Sequence, residues 1–342
     1  MATLSFKPKQ VTKKILSPLQ DRAYDVILNR FGLGTDAERK TLEAIGQAYG
    51  ITRERVRQIE NAALGAIRKS SSYKDEQATF DELKKVIYEL GAVVAEEELL
   101  NALSKDKATQ NHIHLYLVLG DDFTKHKEDD HFASRWSVDG KIAEEVHDTL
   151  KSLYSSLEDD ELVPEGEMIS RFLEAIKNIS EEYKNEEIAR RWLDLSKTIS
   201  RNPLGEWGKS DSANVKTRGI KDYAFLVMRK HGSPMHFREV AKAISDTFGK
   251  KTHIATCHNE LIKDHRFVLV GRGVYALKEW GYTPGVVKDV IKQILKKEGP
   301  LSKEDVIDRV MKERYLKKNT ILVNLQNPKY FKKNKSGLYT AA

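Results

Sequence analysis

A rhythm of three short helices followed by a β-hairpin recurs along this chain of 342 residues, and it limits the possible folds more than any other sequence feature. The clearest copy predicts helices over Ile220–His231, His236–Phe248 and His253–Asp264, followed by two apolar runs around Gly271-Arg-Gly273. Three helices and a hairpin are the plan of a winged helix. Residues 217–283 are therefore predicted to form one winged-helix unit.

The same rhythm returns in three other stretches of the chain. Residues 76–140 and 284–342 repeat it, and residues 141–210 carry a fainter, acidic copy; the polar run Ser210–Lys216 is the best linker candidate. We expect a mainly α-helical protein of tandem helix-turn-helix and winged-helix domains with short β-hairpin wings. Unrelated helical hairpins that share only this rhythm are the alternative.

The N-terminal part predicts a different unit over residues 17–75, preceded by a basic tail over residues 1–16. A helix is expected over Ser17–Gly32, with Pro18 in its first turn. The segment Thr41–Glu60 then has the layout of a helix-turn-helix, whose first helix is expected over Thr41–Ala48. Apolar side chains would bury one face of its two helices, at Leu42, Ile45, Ile51, Val56, Ile59 and Ala63.

The turn of this motif contains Gly50, and Thr52 is a suitable N-cap for a third helix that runs to about Lys69. The opposite face of that helix holds polar residues at helical spacing, and these are Arg53, Glu54, Arg57, Gln58 and Asn61. Arginine pairs with guanine, glutamine with adenine, and glutamate accepts from cytosine. We expect these five residues and Thr52 to bind DNA, whereas Arg55 and Arg68 would meet phosphates or solvent. A solvated helix face is the alternative.

The motif Thr52-Arg-Glu-Arg-Val-Arg-Gln-Ile-Glu60, preceded by Leu42-Glu-Ala-Ile-Gly46, resembles region 4 of primary bacterial sigma factors. The resemblance covers roughly residues 17–70. It implies a domain that reads the promoter's −35 element and docks on the flap of the RNA polymerase β subunit. By position, it implies that Arg53, Glu54 and Gln58 read bases while Arg57 supports them at the backbone. The parts of a sigma factor that melt the −10 element have no counterpart, so the opening of a promoter is not implied.

A second resemblance covers residues 218–282, which are similar to the winged-helix domain shared by restriction endonucleases, chromatin proteins and the RNA polymerase delta subunit. It rests on the motifs Ile220-Lys-Asp-Tyr-Ala224, Pro234-Met-His-Phe-Arg-Glu-Val240, Asp264-His-Arg-Phe267 and Gly271-Arg-Gly-Val-Tyr275. The resemblance implies a DNA-associated or polymerase-associated module. If this domain grips DNA, the candidate contacts are Lys251, His253, Thr256, His258 and Arg272; a winged helix serves equally well as a protein-docking surface.

The charge of the chain is divided along its length. Residues 1–75 carry a net charge of +6, residues 76–200 carry −14, and residues 201–342 carry +15. Basic ends around an acidic middle suggest that the ends meet a polyanion and that the middle faces protein. An uneven but merely solvated surface is the alternative.

These features together predict a sequence-specific transcription regulator that binds double-stranded DNA and associates with the RNA polymerase core. A stand-alone repressor or activator, and the DNA-targeting subunit of a restriction or repair system, are the alternatives. No nucleophile occurs with a base, so we expect no enzyme and no cofactor. The single cysteine, Cys257, excludes a multi-cysteine zinc site, and we expect no metal. No apolar run is long enough for a membrane span or a signal peptide, so a cytoplasmic location is expected.

Overall fold

The computed structural model describes residues 4–283 and 285–342. Met1, Ala2 and Thr3 of the predicted basic tail, and Pro284 of the predicted C-terminal unit, lie outside the described residues. The described residues form 17 α-helices and small antiparallel sheets, which confirms the mainly α-helical class. The chain divides into two compact units, residues 1–200 with 207–210, and residues 201–206 with 211–342. The finer division into tandem domains stays a prediction.

The first unit begins with five helices that include the helix-turn-helix. Their bounds are α1 Pro8–Leu16, α2 Asp21–Phe31, α3 Leu42–Tyr49, α4 Arg53–Lys69 and α5 Ser71–Lys74. The predicted second and third helices are confirmed to within one residue, because capping threonines and a turn glycine mark their ends.

Two N-terminal predictions need correction. The basic tail is helical from Pro8, because Val11 and Ile15 lie one turn apart and bury the same side of α1 in the core. The helix expected over Ser17–Gly32 begins only at Asp21. Pro18 lies in the turn between the two helices, since it lacks the amide N–H that a continuing helix needs.

Two successive sets of three helices and strands complete the first unit. The first set has α6 Gln77–Glu89, β1 Val93–Ala95, α7 Glu96–Leu103, α8 Lys107–Leu119, β2 Thr124–His126 and β3 Arg135–Ser137. Its strands form an antiparallel sheet in the order β1-β3-β2, with Ser137 opposite both Val93 and Thr124. The second set has α9 Gly140–Ser156, α10 Glu165–Ala175, α11 Glu186–Leu193, β4 Ile199–Arg201 and β5 Trp207–Lys209, with a single 3-10 turn at Glu181–Tyr183. Strands β4 and β5 pair with each other.

The second unit contains two further sets of the same kind. The first comprises α12 Ile220–His231, β6 Met235–His236, α13 Phe237–Phe248, α14 Ile254–Lys263, β7 Phe267–Gly271 and β8 Val274–Leu277, followed by a 3-10 turn at Lys278–Trp280. The other comprises α15 Val287–Glu298, α16 Lys303–Glu313, α17 Lys318–Leu325, β9 Phe331–Lys333 and β10 Tyr339–Ala341. The sheets have the orders β6-β8-β7 and β10-β9. Each predicted helix is present, which confirms the winged-helix class.

One hydrophobic core joins the N-terminal helices to α6–α8. It runs from Val11 on α1 through Ile67 on α4 to Tyr116 on α8 and Trp136 on β3, each at most 5 % exposed. The hydroxyl of Tyr116 donates to the Pro8 carbonyl and also bonds to Thr12. The helix-turn-helix is therefore anchored to the set that follows it rather than tethered by a loop.

The segment predicted as a linker, Ser210–Lys216, is packed rather than free. It contains the boundary between the two units, at Ser210 and Asp211. Ser212, Asn214 and Val215 are nevertheless buried. The polar side chains that suggested a loop form hydrogen bonds within the fold: Asn214 accepts a hydrogen bond from Arg266 at 3.3 Å. None of the helices in the described residues combines the length and apolar character that a bilayer span requires.

Candidate nucleic-acid interface

The turn between α3 and α4 is fixed by caps on both helices. The Thr41 hydroxyl accepts from the Ala44 amide at 3.1 Å, and the Thr52 hydroxyl accepts from the Arg55 amide at 3.2 Å. Gly50 ends α3 with φ of 64°, a left-handed conformation that glycine adopts without strain. Each cap stabilises its helix by about 1 kcal/mol, so the orientation of α4 is set by local chemistry.

A small apolar cluster lies beneath this turn. Val26 on α2, Ile45 on α3 and Val56 on α4 are fully buried together, and Leu42, Ile51 and Ile59 pack against them. Five of the six predicted inward positions belong to this cluster, and Ala63 belongs to the larger core. The predicted burial of one face of both helices is therefore correct.

Gly46 permits the close approach of α3 to the turn. A Cβ atom at Gly46 would lie 2.6 Å from the carbonyl oxygen of Ile51, well inside contact distance. That oxygen belongs to the backbone, so it cannot rotate away as a flexible side chain would. A side chain at position 46 would therefore push α4 away from α3.

We predict that Gly46→Ala lowers the free energy of unfolding by about 1–3 kcal/mol, because it overpacks this contact. Urea denaturation of the full chain measures the effect. Gly65→Ala is a matched control, since nothing lies within 4 Å of a Cβ at this position in α4. That control should be neutral or more stable by up to about 1 kcal/mol, because alanine favours a helix over glycine. Equal destabilisation by both substitutions would contradict the prediction.

The outer face of α4 begins with the residues predicted to bind DNA. Arg53, Glu54, Arg57, Gln58 and Asn61 are all exposed, and Thr52 precedes them as the N-cap. The structure therefore brings all six predicted residues together in the first turns of one helix. In helix-turn-helix proteins this part of the second helix enters the major groove.

Three of these side chains are already engaged within the helix. The Arg57 guanidinium donates two hydrogen bonds to the Glu54 carboxylate, at 2.9 and 2.6 Å. This hydrogen-bonded pairing lowers the pKa of Glu54 and raises the pKa of Arg57. Gln58 accepts from Arg55 at 3.1 Å. In the described part of the chain, no ion pair or hydrogen bond involves the Arg53 side chain, which is therefore free to meet a ligand.

Arg68 has a structural role that the sequence did not show. Its guanidinium donates to the carbonyl oxygens of Leu119 at 2.9 Å and Val118 at 2.7 Å, at the end of α8. These carbonyls have no partner further along their own helix. Arg68 therefore caps α8 and fastens α4 to it, while its side chain stays 41 % exposed to solvent, as the sequence suggested.

The third helix of the first winged-helix set is unavailable to DNA. Helix α8 occupies the position of a recognition helix, but seven of its thirteen residues are buried, including Asn111, His112 and Tyr116. His112 bonds to Thr12 of α1 at 2.9 Å. This helix serves as the support on which the helix-turn-helix rests.

The candidate contacts in the second unit fall into two groups. Lys251, His253 and Thr256 are exposed at the start of α14, and Arg272 is exposed at the tip of the β7–β8 hairpin. His258 instead stacks on Phe237, with ring centroids 4.2 Å apart and an interplanar angle of 22°. The geometry gives His258 a packing role that helical spacing alone did not reveal.

Helix α14 also carries apolar side chains on its outer surface. Ile254 is 48 % exposed and Ile262 is 61 % exposed, and they lie eight residues apart on one face. Cys257 faces the core, where burial raises the pKa of its thiol to about 11. The described residues contain no group of three or more His, Cys, Asp or Glu side chains that could hold a metal ion.

Two motifs of the second resemblance, Ile220–Ala224 and Asp264–Phe267, stabilise the fold. Arg266 donates to Asp222 and Asp264, each at 2.8 Å, and all three side chains are at most 16 % exposed. Asp222 also accepts from the Gly219 amide at the start of α12. The pairing ties α12 to the segment before β7 and so holds the winged helix together.

Two family models match the chain, one in each unit. The model for sigma-70, region 4, matches residues 15–69. The model for HARE-HTH, the helix-turn-helix domain of ASXL proteins and restriction endonucleases, matches residues 218–280. Both resemblances inferred from the sequence are confirmed, and the two domains support DNA-binding regulation. The first match contains all six exposed residues at the start of α4, and the second contains the whole of α14.

Proposed function

We propose that this chain is a sequence-specific transcription regulator that reads a promoter −35-like element with α4 and associates with bacterial RNA polymerase. The observation that carries the proposal is the exposed row at the start of α4, on a helix fixed at its N-terminus by Thr52. The match of residues 15–69 to sigma-70, region 4, supports it. Such a regulator acts in the cytoplasm.

The pairing state of these side chains suggests separate roles for them. Arg53 is unengaged and suits bidentate pairing with guanine O6 and N7. Gln58 can give up its hydrogen bond with Arg55 and bond to the edge of an adenine instead. Glu54 and Arg57 pair with each other in the free chain; on DNA this pair would separate, so that Glu54 accepts from cytosine while Arg57 turns to a phosphate.

Alanine at Arg53 or Gln58 should cost about 1–3 kcal/mol of binding free energy on the preferred site and little on unrelated duplexes. The preferred site is first selected from a random duplex library, and fluorescence anisotropy then gives the affinities. Arg171→Ala is the matched control, since this arginine pairs with Glu161 and Glu167 on the acidic part of the same unit. Equal losses on every duplex would show that these residues contact only the backbone.

The association with polymerase has its own test. The full chain is mixed with RNA polymerase core enzyme at moderate salt without DNA and passed over a sizing column. Co-elution is the expected result and would make the protein a polymerase-associated factor. Separate elution with site-specific DNA binding intact would overturn this half of the proposal and leave a stand-alone repressor or activator. A nuclease or methylase partner would instead favour the DNA-targeting subunit of a restriction or repair system.

A further inference from the structure

Three lysines surround one tyrosine in the last part of the second unit. The ammonium nitrogens of Lys288, Lys292 and Lys329 lie 4.8, 4.9 and 5.9 Å from the ring centroid of Tyr330. Lys288 and Lys292 are one turn apart on α15, while Lys329 and Tyr330 follow α17. We call these four residues the lysine platform.

Among the described residues, no carboxylate forms an ion pair with the platform, because the adjacent Asp289 instead caps α15 by accepting from the Val286 amide at 3.2 Å. In residues 285–342, all of which are described, none of its three lysines forms an ion pair or a hydrogen bond through its side chain. The electron-rich face of Tyr330 attracts the ammonium groups but adds no negative charge. Three like charges around one ring create a positive potential that a bound anion would relieve.

The surrounding sequence extends this positive surface. Residues 317–342 contain six lysines and no aspartate or glutamate. Two of these lysines, Lys332 and Lys333, are exposed on β9 directly after the platform. The acidic side chains of this part of the chain are concentrated on α16, at Glu304, Asp305, Asp308 and Glu313. Basic charge is therefore gathered on α15 and on the segment from Lys317 onwards, on either side of the acidic α16.

We propose that the lysine platform is a second DNA contact, which binds the phosphate backbone of duplex DNA without reading its sequence. Lysine is a flexible point charge, so it suits phosphate oxygens better than the fixed pattern of a base edge. The Tyr330 hydroxyl can donate to the same phosphates. The choice of DNA among polyanions rests on the proposed function, whereas the anion site itself rests on the geometry of the platform.

The test compares two triple variants of the full chain that lose the same charge. Lys288→Gln, Lys292→Gln and Lys329→Gln remove the platform. Lys296→Gln, Lys297→Gln and Lys312→Gln form the control, because these exposed lysines lie elsewhere on α15 and α16. Binding to a short random-sequence duplex is measured over a series of salt concentrations. Thermal melting shows whether each variant is folded, and a Lys→Arg version of the platform triple retains the charge.

The platform triple should weaken binding to the duplex about tenfold or more. The slope of log K against log salt concentration should become shallower by about 2 to 3, since each lost phosphate contact reduces that slope by about 0.9. The control should change the slope by much less, and the arginine triple should bind like the unmodified chain. Equal slopes in both glutamine triples would overturn the proposal.

This result can be separated from the test of the proposed function. The platform triple should keep the ratio of affinities for the preferred site and a random duplex, because it removes only backbone contacts. Substitutions at Arg53 and Gln58 should lower that ratio and leave the salt slope nearly unchanged. Failure of one set of variants therefore leaves the other conclusion standing.

Discussion

Replacing Asn111 with alanine is expected to lower the free energy of unfolding by about 3 kcal/mol. The Asn111 amide nitrogen donates to the carbonyls of Gly32 and Ala37, both at 2.9 Å, and its oxygen accepts from Arg39 at 2.7 Å. Asn111 is only 2 % exposed. Alanine would leave two carbonyls without their partner, and each buried unsatisfied group costs about 1–3 kcal/mol.

The effect should reach the DNA-reading helix as well. Residues 32–41 connect α2 to α3, and Asn111 on α8 is the side chain that holds the first half of this connection. Loss of the bonds releases the loop that leads into the helix-turn-helix. We therefore expect weaker binding to the preferred duplex at temperatures where the variant is still folded.

Two further variants separate hydrogen bonding from volume. Asn111→Leu fills the space but cannot bond to the carbonyls, so it should be about as unstable as the alanine variant. Asn29→Ala is the control, because among the described residues the Asn29 side chain bonds only within its own helix, to the Asp25 carbonyl at 2.8 Å. Chemical denaturation of the three variants gives the comparison. A leucine variant as stable as the unmodified chain would show that the hydrogen bonds contribute little.

Much of this architecture can be predicted from local signals in the sequence. Helices α12 and α4 have the predicted bounds, with Thr52 as the predicted N-cap of α4, and α3 begins and ends one residue later than predicted because Thr41 is its cap. The outward face of α4 follows from helical periodicity alone. The strand β1 was missed because three residues are too few for a periodic pattern.

What the sequence could not reveal depends on contacts between distant residues. Helix α1 was predicted to be a tail because of its lysines. Its apolar side packs against α8, which lies about a hundred positions away in the sequence. Arg68 is solvent-exposed as expected, but its bonds to two carbonyls of α8, about fifty positions away, could not be read from local sequence. The stacking of His258 on Phe237 likewise arises from tertiary packing, which no local pattern contains.

The burial of α8 also shows why a count of winged-helix repeats does not give a count of DNA contacts. The first set uses its third helix as a support, and α11 of the second set carries Glu186 and Glu187 in its first turn. The third helices of the second unit differ from both, because α14 and α17 each have only two buried residues and no acidic residue in the first turn, and the exposed Lys251 and Lys317 precede them. Backbone contacts are therefore expected from the second unit, and base reading from α4.

Acidification should unfold the first unit through histidines that are buried in the uncharged form. Burial, together with the nearby positive charge of Arg39, lowers the pKa of His114 to about 4 against the opposing effect of Glu96. Burial and the charge of Arg135 lower the pKa of His147 to about 3. Arg135 donates to the His147 ring nitrogen at 2.6 Å, which requires that nitrogen to be unprotonated.

The sign of the effect follows from where the proton binds. In the unfolded chain a histidine has a pKa of about 6.5. At pH values between about 6.5 and the pKa in the folded state, the histidine is protonated in the unfolded chain but not in the folded one. The free energy of unfolding therefore falls as the pH falls. His114 alone should remove about 1.4 kcal/mol per pH unit below about pH 6.5, or about 2 kcal/mol by pH 5. His147 is less shielded from solvent and adds to the loss in the same direction.

Urea denaturation of the full chain at several pH values between about 7 and 4.5 measures this loss. His114→Leu should reduce the slope of the free energy of unfolding against pH by about 1.4 kcal/mol per pH unit, because a leucine side chain cannot bind a proton. His131→Leu is the matched control, since its ring is exposed and it should leave the slope unchanged. The ring resonances of His114 in the folded chain give an independent readout and should not titrate above about pH 5. Titration near pH 6.5 would mean that the ring is hydrated, because only desolvation and its basic neighbours keep the proton off it.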